Sequence, residues 1–324
     1  MSVEPVAGRS SLSTSPGPVD EGAPGPDHER HRRGTAYGLA AYGLWGLVPL
    51  FWPLVARAGA LELLAHRVVW SLVVAAVLLA AVVARGWWAR FRSRRNLALI
   101  AVAAAVVSVN WGTYIWAVNS GHVVETSLGY YINPILSILV GVLLLGERLA
   151  ALQWVSVGLA ALAVIVLTVE YGRPPWIALT LAVSFATYGV VKKQLNAGAV
   201  ETLTLESAVL TPLALGYLVY LAGTGTGTFG TLGWSHSLLL AATGIVTAVP
   251  LLFFAASATR LPLSTLGLLQ YLAPTLQFLL GLLYFGEQMS PGRWAGFALV
   301  WLALMILTGT ACTAPVARAG RGPW

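Results

Sequence analysis

The sequence predicts an all-α integral membrane protein whose ten transmembrane helices form two inverted five-helix repeats. Composition, the number of apolar runs and an internal duplication predict it. Of 324 residues, 57% are hydrophobic and 10% charged, whereas a soluble domain is about 25% charged. A soluble chain this apolar would expose large greasy patches, so the bilayer is the solvent for most of it. A spanning helix needs roughly 20 apolar residues. Such runs, bounded by Gly, Pro or charge, fall at 35–55, 61–84, 97–118, 124–145, 151–169, 174–191, 202–222, 237–257, 263–285 and 291–309. None alternates apolar and polar residues as a barrel strand does.

The duplication is direct. Laid over each other at an offset of 140, residues 126–168 and 266–308 agree at 15 of 43 positions. The informative identities are Tyr131 with Tyr271, Pro134 with Pro274, Gly141 with Gly281, Gly146-Glu147 with Gly286-Glu287, and Trp154 with Trp294. Each copy is a proline-interrupted apolar run, a turn containing Gly-Glu and a second apolar run. Upstream, Trp45-Gly46 matches Tyr188-Gly189, and Gly59-Ala60-Leu61-Glu62 matches Gly198-Ala199-Val200-Glu201, with a shift of four residues between the two matches. The repeats run over 35–170 and 174–309. Five spans is an odd number, so the second repeat enters the membrane with opposite polarity. Gly146-Glu147 then faces the cytoplasm and Gly286-Glu287 the outside. A pseudo-two-fold axis in the membrane plane, with a solute site near the midplane, follows from that arrangement.

The net charge of +7 does not point to nucleic acid. With the N-terminus inside, fifteen Arg and Lys residues fall on the inner side and three (Arg57, Arg173, Arg293) on the outer, with Arg67 inside the second span. That is the positive-inside bias, and it makes both termini cytoplasmic. Arg90, Arg92, Arg94 and Arg95 beside Trp87 and Trp88 read as an anchor on anionic lipid. Cys312 is the only cysteine, which excludes an intramolecular disulfide and a cysteine metal cluster. Residues 1–34, rich in Ser, Pro, Gly and charge, read as a disordered cytoplasmic tail, and 310–324 as a second one. The tail lacks the apolar core of a secretory signal.

Candidate functional residues follow from what a bilayer forbids. A proline inside a helix removes a hydrogen bond, and freed carbonyls in lipid need partners or a wet cavity. Pro49 and Pro53 interrupt span one, and Pro134 and Pro274 the matching spans four and nine. Tyr130, Tyr131 and Asn133 stand just before Pro134, and Gln270 and Tyr271 before Pro274, so these are expected along the substrate pathway. Trp45 and Tyr188 join them as matched residues of spans one and six. Kinks that serve only helix packing are the plain alternative. In span three, Asn110 and Tyr114 share a face with Trp111 adjacent. These residues either line a cavity or form an ordinary interfacial aromatic set.

Glu62, His66 and Arg67 form the densest ionisable group. Glu62 and His66 lie on one helical face, with Arg67 about 140° round from Glu62. Charges inside a bilayer default to a functional reading, and a Glu–His pair suits proton coupling because histidine titrates near neutrality. An ion pair fixing the end of span two, with arginine snorkelling, is the other reading. Glu206 corresponds to Arg67 in the second repeat and is a candidate partner for it. Glu125, opening span four, is either a gate or a favourable charge at a helix N-terminus.

Two motif matches fail on context. Gly225, Gly227 and Gly230 satisfy a dinucleotide pattern but lie in a Gly/Thr loop without a βαβ unit. Thr126-Ser-Leu-Gly-Tyr130 imitates a potassium filter yet occurs once. No nucleotide, metalloprotease or nucleophile motif lies in or beside the spans, so neither an enzyme activity nor a cofactor or metal is expected.

The stretches Tyr42-Gly-Leu-Trp-Gly-Leu-Val-Pro49, Leu61-Glu-Leu-Leu-Ala-His-Arg67, Asn110-Trp-Gly-Thr-Tyr-Ile-Trp-Ala-Val-Asn119, Glu125-Thr-Ser-Leu-Gly-Tyr-Tyr-Ile-Asn-Pro134 and Gly146-Glu-Arg-Leu149 resemble the EamA family of the drug/metabolite transporter superfamily, and within it the RarD group. The likeness covers about 35–309. It implies a two-repeat, ten-helix carrier of the bacterial cytoplasmic membrane that exports small metabolites or drug-like compounds on an ion gradient rather than ATP; it supplies no particular substrate. The expected partners are a small-molecule substrate, membrane lipid and a coupling proton. A membrane sensor or resistance-modulating scaffold that moves nothing is the rival reading.

Overall fold

The computed structural model describes residues 26–82, 87–145, 150–195 and 198–313. Among these, all regular structure is helical: α1 (Pro26–Leu47), α2 (Gly59–Val82), α3 (Arg94–Asn119), α4 (Val123–Leu145), α5 (Ala151–Tyr171), α6 (Trp176–Leu195), α7 (Ala199–Thr224), α8 (Trp234–Ala258), α9 (Leu263–Leu269), α10 (Leu272–Leu283) and α11 (Pro291–Thr313). Short 3-10 turns cover Val48–Leu50, Trp52–Ala58 and Trp87–Phe91.

The helix breaks follow the prolines unevenly. After α1 the chain tightens into 3-10 turns through Pro49 and Pro53. A second break separates α9 from α10 at Gln270–Tyr271, just ahead of Pro274. Pro134, by contrast, lies inside an unbroken α4, and Pro212 and Pro250 inside α7 and α8. The chain also enters helix nine residues before the expected start at 35, because Glu29 bonds Arg32 and Arg33 one turn on and Arg30 reaches the Thr259 carbonyl.

Among the described residues eight helices are long and apolar enough to cross a membrane. They are Trp52–Ala81, Arg94–Asn119, Val123–Val140, Ala151–Tyr171, Ala199–Thr224, Trp234–Ala258, Thr265–Leu283 and Pro291–Gly309. α1 falls outside that group because its first turns are charged. α6 does so because it carries Thr180, Ser184, Thr187 and Tyr188 and ends in Lys192 and Lys193. The perimeter is apolar: Leu213, Val169 and Leu283 are among the most exposed side chains, as a lipid solvent permits.

Packing runs mostly between helices far apart in sequence. α1 lies against α8 and α10, α2 against α7 and α8, α3 against α6 and α7, α4 against α6 and α10, and α5 against α11. Without a hydrophobic force between helices in lipid, close approach depends on small residues. A Cβ on Gly244 of α8 would stand 2.4 Å from the Trp70 carbonyl oxygen of α2, and one on Gly281 of α10 would stand 3.0 Å from the Val124 amide of α4.

Candidate functional site

At the end of the bundle where α2, α4, α6 and α8 begin, three carboxylates each reach across to the other half of the chain. Glu287, in the turn after α10, accepts the amide hydrogens of Val123 and Val124 at the start of α4. Those amides have no intrahelical partner. Burial pushes the Glu287 carboxyl up to about 7, against the pull of the two amides and of Arg293, while Glu125 adds to the rise.

Glu125, one turn into α4 and buried, holds Arg173 at 3.0 Å and also accepts the Ile177 amide at 3.2 Å, at the start of α6. It thus serves a helix N-terminus, that of the neighbouring helix. Glu62 of α2 accepts both the amide and the hydroxyl of Thr228 at 2.7 and 2.9 Å, and Thr228 also bonds His236 of α8 at 2.9 Å. His66 stands 3.9 Å from Glu62 and stacks on Phe229. Both of its buried ring nitrogens lack a hydrogen bond. Glu62, His66, Trp70 and Phe229 line a cavity of about 390 Å³.

Deeper in, the neighbours are aromatic. The Arg67 guanidinium lies 3.9 Å from the centre of the Trp111 ring and 5.3 Å from that of Trp52, and its Nε donates to Thr247 of α8 at 2.9 Å. Tyr114 meets Tyr130 edge-on, Tyr130 meets Phe185, and Phe185 meets Tyr188. This row leads to a second ionic group. The Tyr188 hydroxyl donates to Glu206 at 3.0 Å, and Lys192 pairs with Glu206 at 3.7 Å and also bonds Thr202. Glu206 is thus not the partner of Arg67: its position on α7 faces α6. Arg67, Trp111, Tyr130 and Tyr188 are each only partly buried at mid-helix.

The remaining expected pathway residues lie elsewhere. Asn110 donates to the Leu181 carbonyl and to Ser184, tying α3 to α6. Trp45 packs on Tyr42 and Phe254, and its carbonyl accepts from Gln277. Pro49 is buried in its 3-10 turn. Tyr131 shares a hydrogen bond with Thr275 at 2.8 Å. With Tyr271 it borders a groove of about 570 Å³ that Leu268 and the exposed Met305 also line, apart from the Tyr130 row. Asn133 is buried with its carbonyl oxygen unpartnered, Gln270 ends α9, and Pro274 is buried in the first turn of α10. Gly146-Glu147 lies outside the described residues. Trp52, Arg173, Thr228, His236 and Thr247 are contributors that sequence reasoning passed over. The hydroxyl-rich Gly/Thr loop around Thr228 was the available signal.

Long apolar helices with buried carboxylates at one end and a row of aromatic side chains between the helices define a multi-pass membrane protein. The model of the EamA-like transporter family matches residues 32–169 and again 174–309, coinciding with the two repeats. Protein RarD of Streptomyces exfoliatus is 61% identical over 86% of this chain and 88% of its own length. An uncharacterized transporter of Pseudomonas aeruginosa is 44% identical over 85% and 93%, and protein RarD of Escherichia coli 42% over 86% and 95%. A solved structure described only as "Crystal structure of protein" superposes with a TM-score of 0.57 at 20% identity, over 88% of this chain and 100% of that one, a likeness that speaks for the fold alone. The chain belongs to the EamA-like transporter family: it is a multi-pass membrane transporter of the bacterial RarD type.

Proposed function

We propose that the protein is a secondary active transporter that exports small metabolites or drug-like compounds by alternating access. It would cross the cytoplasmic membrane ten times as two inverted five-helix repeats, with both termini cytoplasmic. The packing pairs support this reading. Exchanging α1–α5 for α6, α7, α8, α9/α10 and α11 maps the set of principal pairs onto itself: α3–α6 becomes α8–α1, α4–α6 becomes α10–α1, α2–α8 becomes α7–α3, and α2–α7, α4–α10 and α5–α11 return to themselves. A pseudo-two-fold relation requires that property, and it is the geometry of inverted-repeat carriers.

The observation that carries the mechanism is the contrast between the two levels of the bundle. At one end Glu287, Glu125 and Glu62 each bridge the halves, while Arg67, Trp111 and Tyr130 below them stay partly exposed. On the inverted topology the bridged end is the outer one, so this conformation is sealed outward with its interior row still accessible. Tyr130, Tyr114, Trp111 and Tyr188 would meet the solute. Glu62 and His66 would couple a proton to release of the outer seal, since protonating either changes the balance at Thr228.

Topology is tested by placing single cysteines at Ala150 and Gly286 with Cys312 replaced, and labelling cells with an impermeant thiol reagent. Labels on opposite faces are expected; labels on one face would remove the inverted duplex and alternating access with it. In proteoliposomes, Glu62→Gln is expected to abolish uphill transport while sparing gradient-independent exchange, and full uphill activity would remove the coupling role.

A further inference from the structure

We propose that Arg67 is the recognition point for the solute, and that the transported compounds are planar organic monoanions, a carboxylate carried on an apolar ring. This rests on the transport reading above and names its substrate class.

Arg67 sits two turns into α2, a depth of about 12 Å along the helix, where an arginine is costly unless paired or hydrated. Its neighbours are the ring faces of Trp111 and Trp52, which hold a cation by their quadrupole but accept no hydrogen bond in the guanidinium plane. Nε is occupied by Thr247. Among the described residues no carboxylate pairs with Arg67, because the nearby acids are engaged: Glu62 by Thr228, Glu125 by Arg173 and Glu206 by Lys192. The two Nη groups therefore present a free fork.

Two more donors surround the same place. The Tyr114 hydroxyl and the indole N–H of Trp52, the ring beneath Arg67, belong to one buried cluster and both lack a hydrogen-bond partner. Buried donors are nearly always satisfied. The guanidinium and the indole N–H can only donate, and the neighbouring hydroxyls are neutral, so the site lacks an anionic acceptor; the guanidinium fork matches a carboxylate with two parallel bonds. One positive charge without a second cation fits a monoanion rather than a phosphate dianion. The half-buried faces of Trp111 and Tyr130 suit a flat apolar body, and an amine there would meet a like charge.

The test uses the purified full chain in detergent and matched pairs: benzoate and benzamide, 1-naphthoate and 1-naphthamide, indole-3-acetate and indole-3-acetamide. Thermal unfolding is followed by light scattering while each compound is titrated. At least one acid is expected to raise Tm with its amide silent. Arg67→Gln should abolish the shift, and Arg67→Lys, keeping charge but not the fork, should weaken apparent binding by about tenfold. If Arg67→Gln does not fold, Tyr114→Phe, which keeps the ring, should still weaken the acid several-fold. No stabilising acid, an amide as effective as its acid, or a shift surviving in Arg67→Gln or unchanged in Tyr114→Phe overturns the proposal. Uptake of the same panel into proteoliposomes separates the two readings. Transport of neutral compounds alone keeps the carrier and removes the anion site, whereas acid binding without any transport keeps the site and removes the carrier.

Discussion

Glu287 accepts the amide hydrogen of Val124 at 3.1 Å, so the turn after α10 caps the first turn of α4. The contact carries a pH signature. Burial raises this carboxyl from its ordinary 4.5 to about 7, so between those values the folded chain binds more protons than the unfolded one. Stability then falls as pH rises from about 4.5 to about 7 and is level beyond. Thermal unfolding in detergent across this range should show that decline in the wild type, and Glu287→Gln, which cannot ionise, should lose this part of it. An unchanged slope in the variant would remove the assignment.

Glu125 and Arg173 make a pair whose members differ in burial: the Glu125 side chain is 3% exposed and the Arg173 side chain 37%. Glu125→Gln is expected to cost about 2 kcal/mol, because charge-assisted bonds to the guanidinium and to the Ile177 amide weaken together. Arg173→Met should cost less, since water already screens part of that charge. A double-mutant cycle between them should give a coupling near 1 kcal/mol; a coupling of zero would make the pair an incidental surface contact.

The fold was legible in the sequence where one physical constraint acts alone. Beyond α1, which begins nine residues early, the apolar runs marked their helices to within a few residues because lipid tolerates little else, and Pro49 and Pro53 marked the 3-10 segment after α1. Sequence does not tell a bend from a break: Pro134 lies inside a continuous α4, whereas α9 and α10 are separate helices just ahead of Pro274, because neighbouring packing decides whether a helix breaks. The site was half legible. Tyr130 and Tyr131 are adjacent in sequence and so about 100° apart on α4: Tyr131 borders the groove beside Tyr271 while Tyr130 packs on Tyr114 and Phe185, a difference that a one-dimensional reading merged. Arg67 stood out as a charge in a span, but its expected partner Glu206 faces Lys192, since the register of two diverged repeats does not set which faces meet. Thr228 lay in a loop dismissed for lacking a nucleotide fold, although its hydroxyl bridges Glu62 and His236.

Close helix contact gives a steric prediction. Gly244→Ala would drive a Cβ to 2.4 Å from the Trp70 carbonyl oxygen and 2.5 Å from its carbon, and backbone cannot turn aside as a side-chain tip can. α2 and α8 must part, at a cost of about 1–3 kcal/mol that outweighs the gain of up to about 1 kcal/mol from replacing a helical glycine. Gly216→Ala in α7 is the control, because nothing lies within 4 Å of its new Cβ; it should be neutral or stabilising. Equal effects of the two on detergent unfolding would contradict the tight α2–α8 crossing.

Thr228 offers the most local test of the seal at Glu62. Its amide and its hydroxyl both reach Oε1 of Glu62, and the same hydroxyl contacts Nε2 of His236. Thr228→Val keeps shape and amide but deletes the hydroxyl, leaving Glu62 one donor short and the buried His236 nitrogen without this partner. The expected loss is about 1–3 kcal/mol of stability, the penalty for stranding buried polar groups. Thr228→Ser, which restores the hydroxyl, should recover most of it. Because the bond joins the loop after α7 to the first turn of α2, Thr228→Val should also speed modification of a cysteine placed at Val69, on the cavity wall beside His66, by an impermeant thiol reagent. Wild-type labelling rates in Thr228→Val would mean that this hydroxyl does not hold the end of the bundle closed.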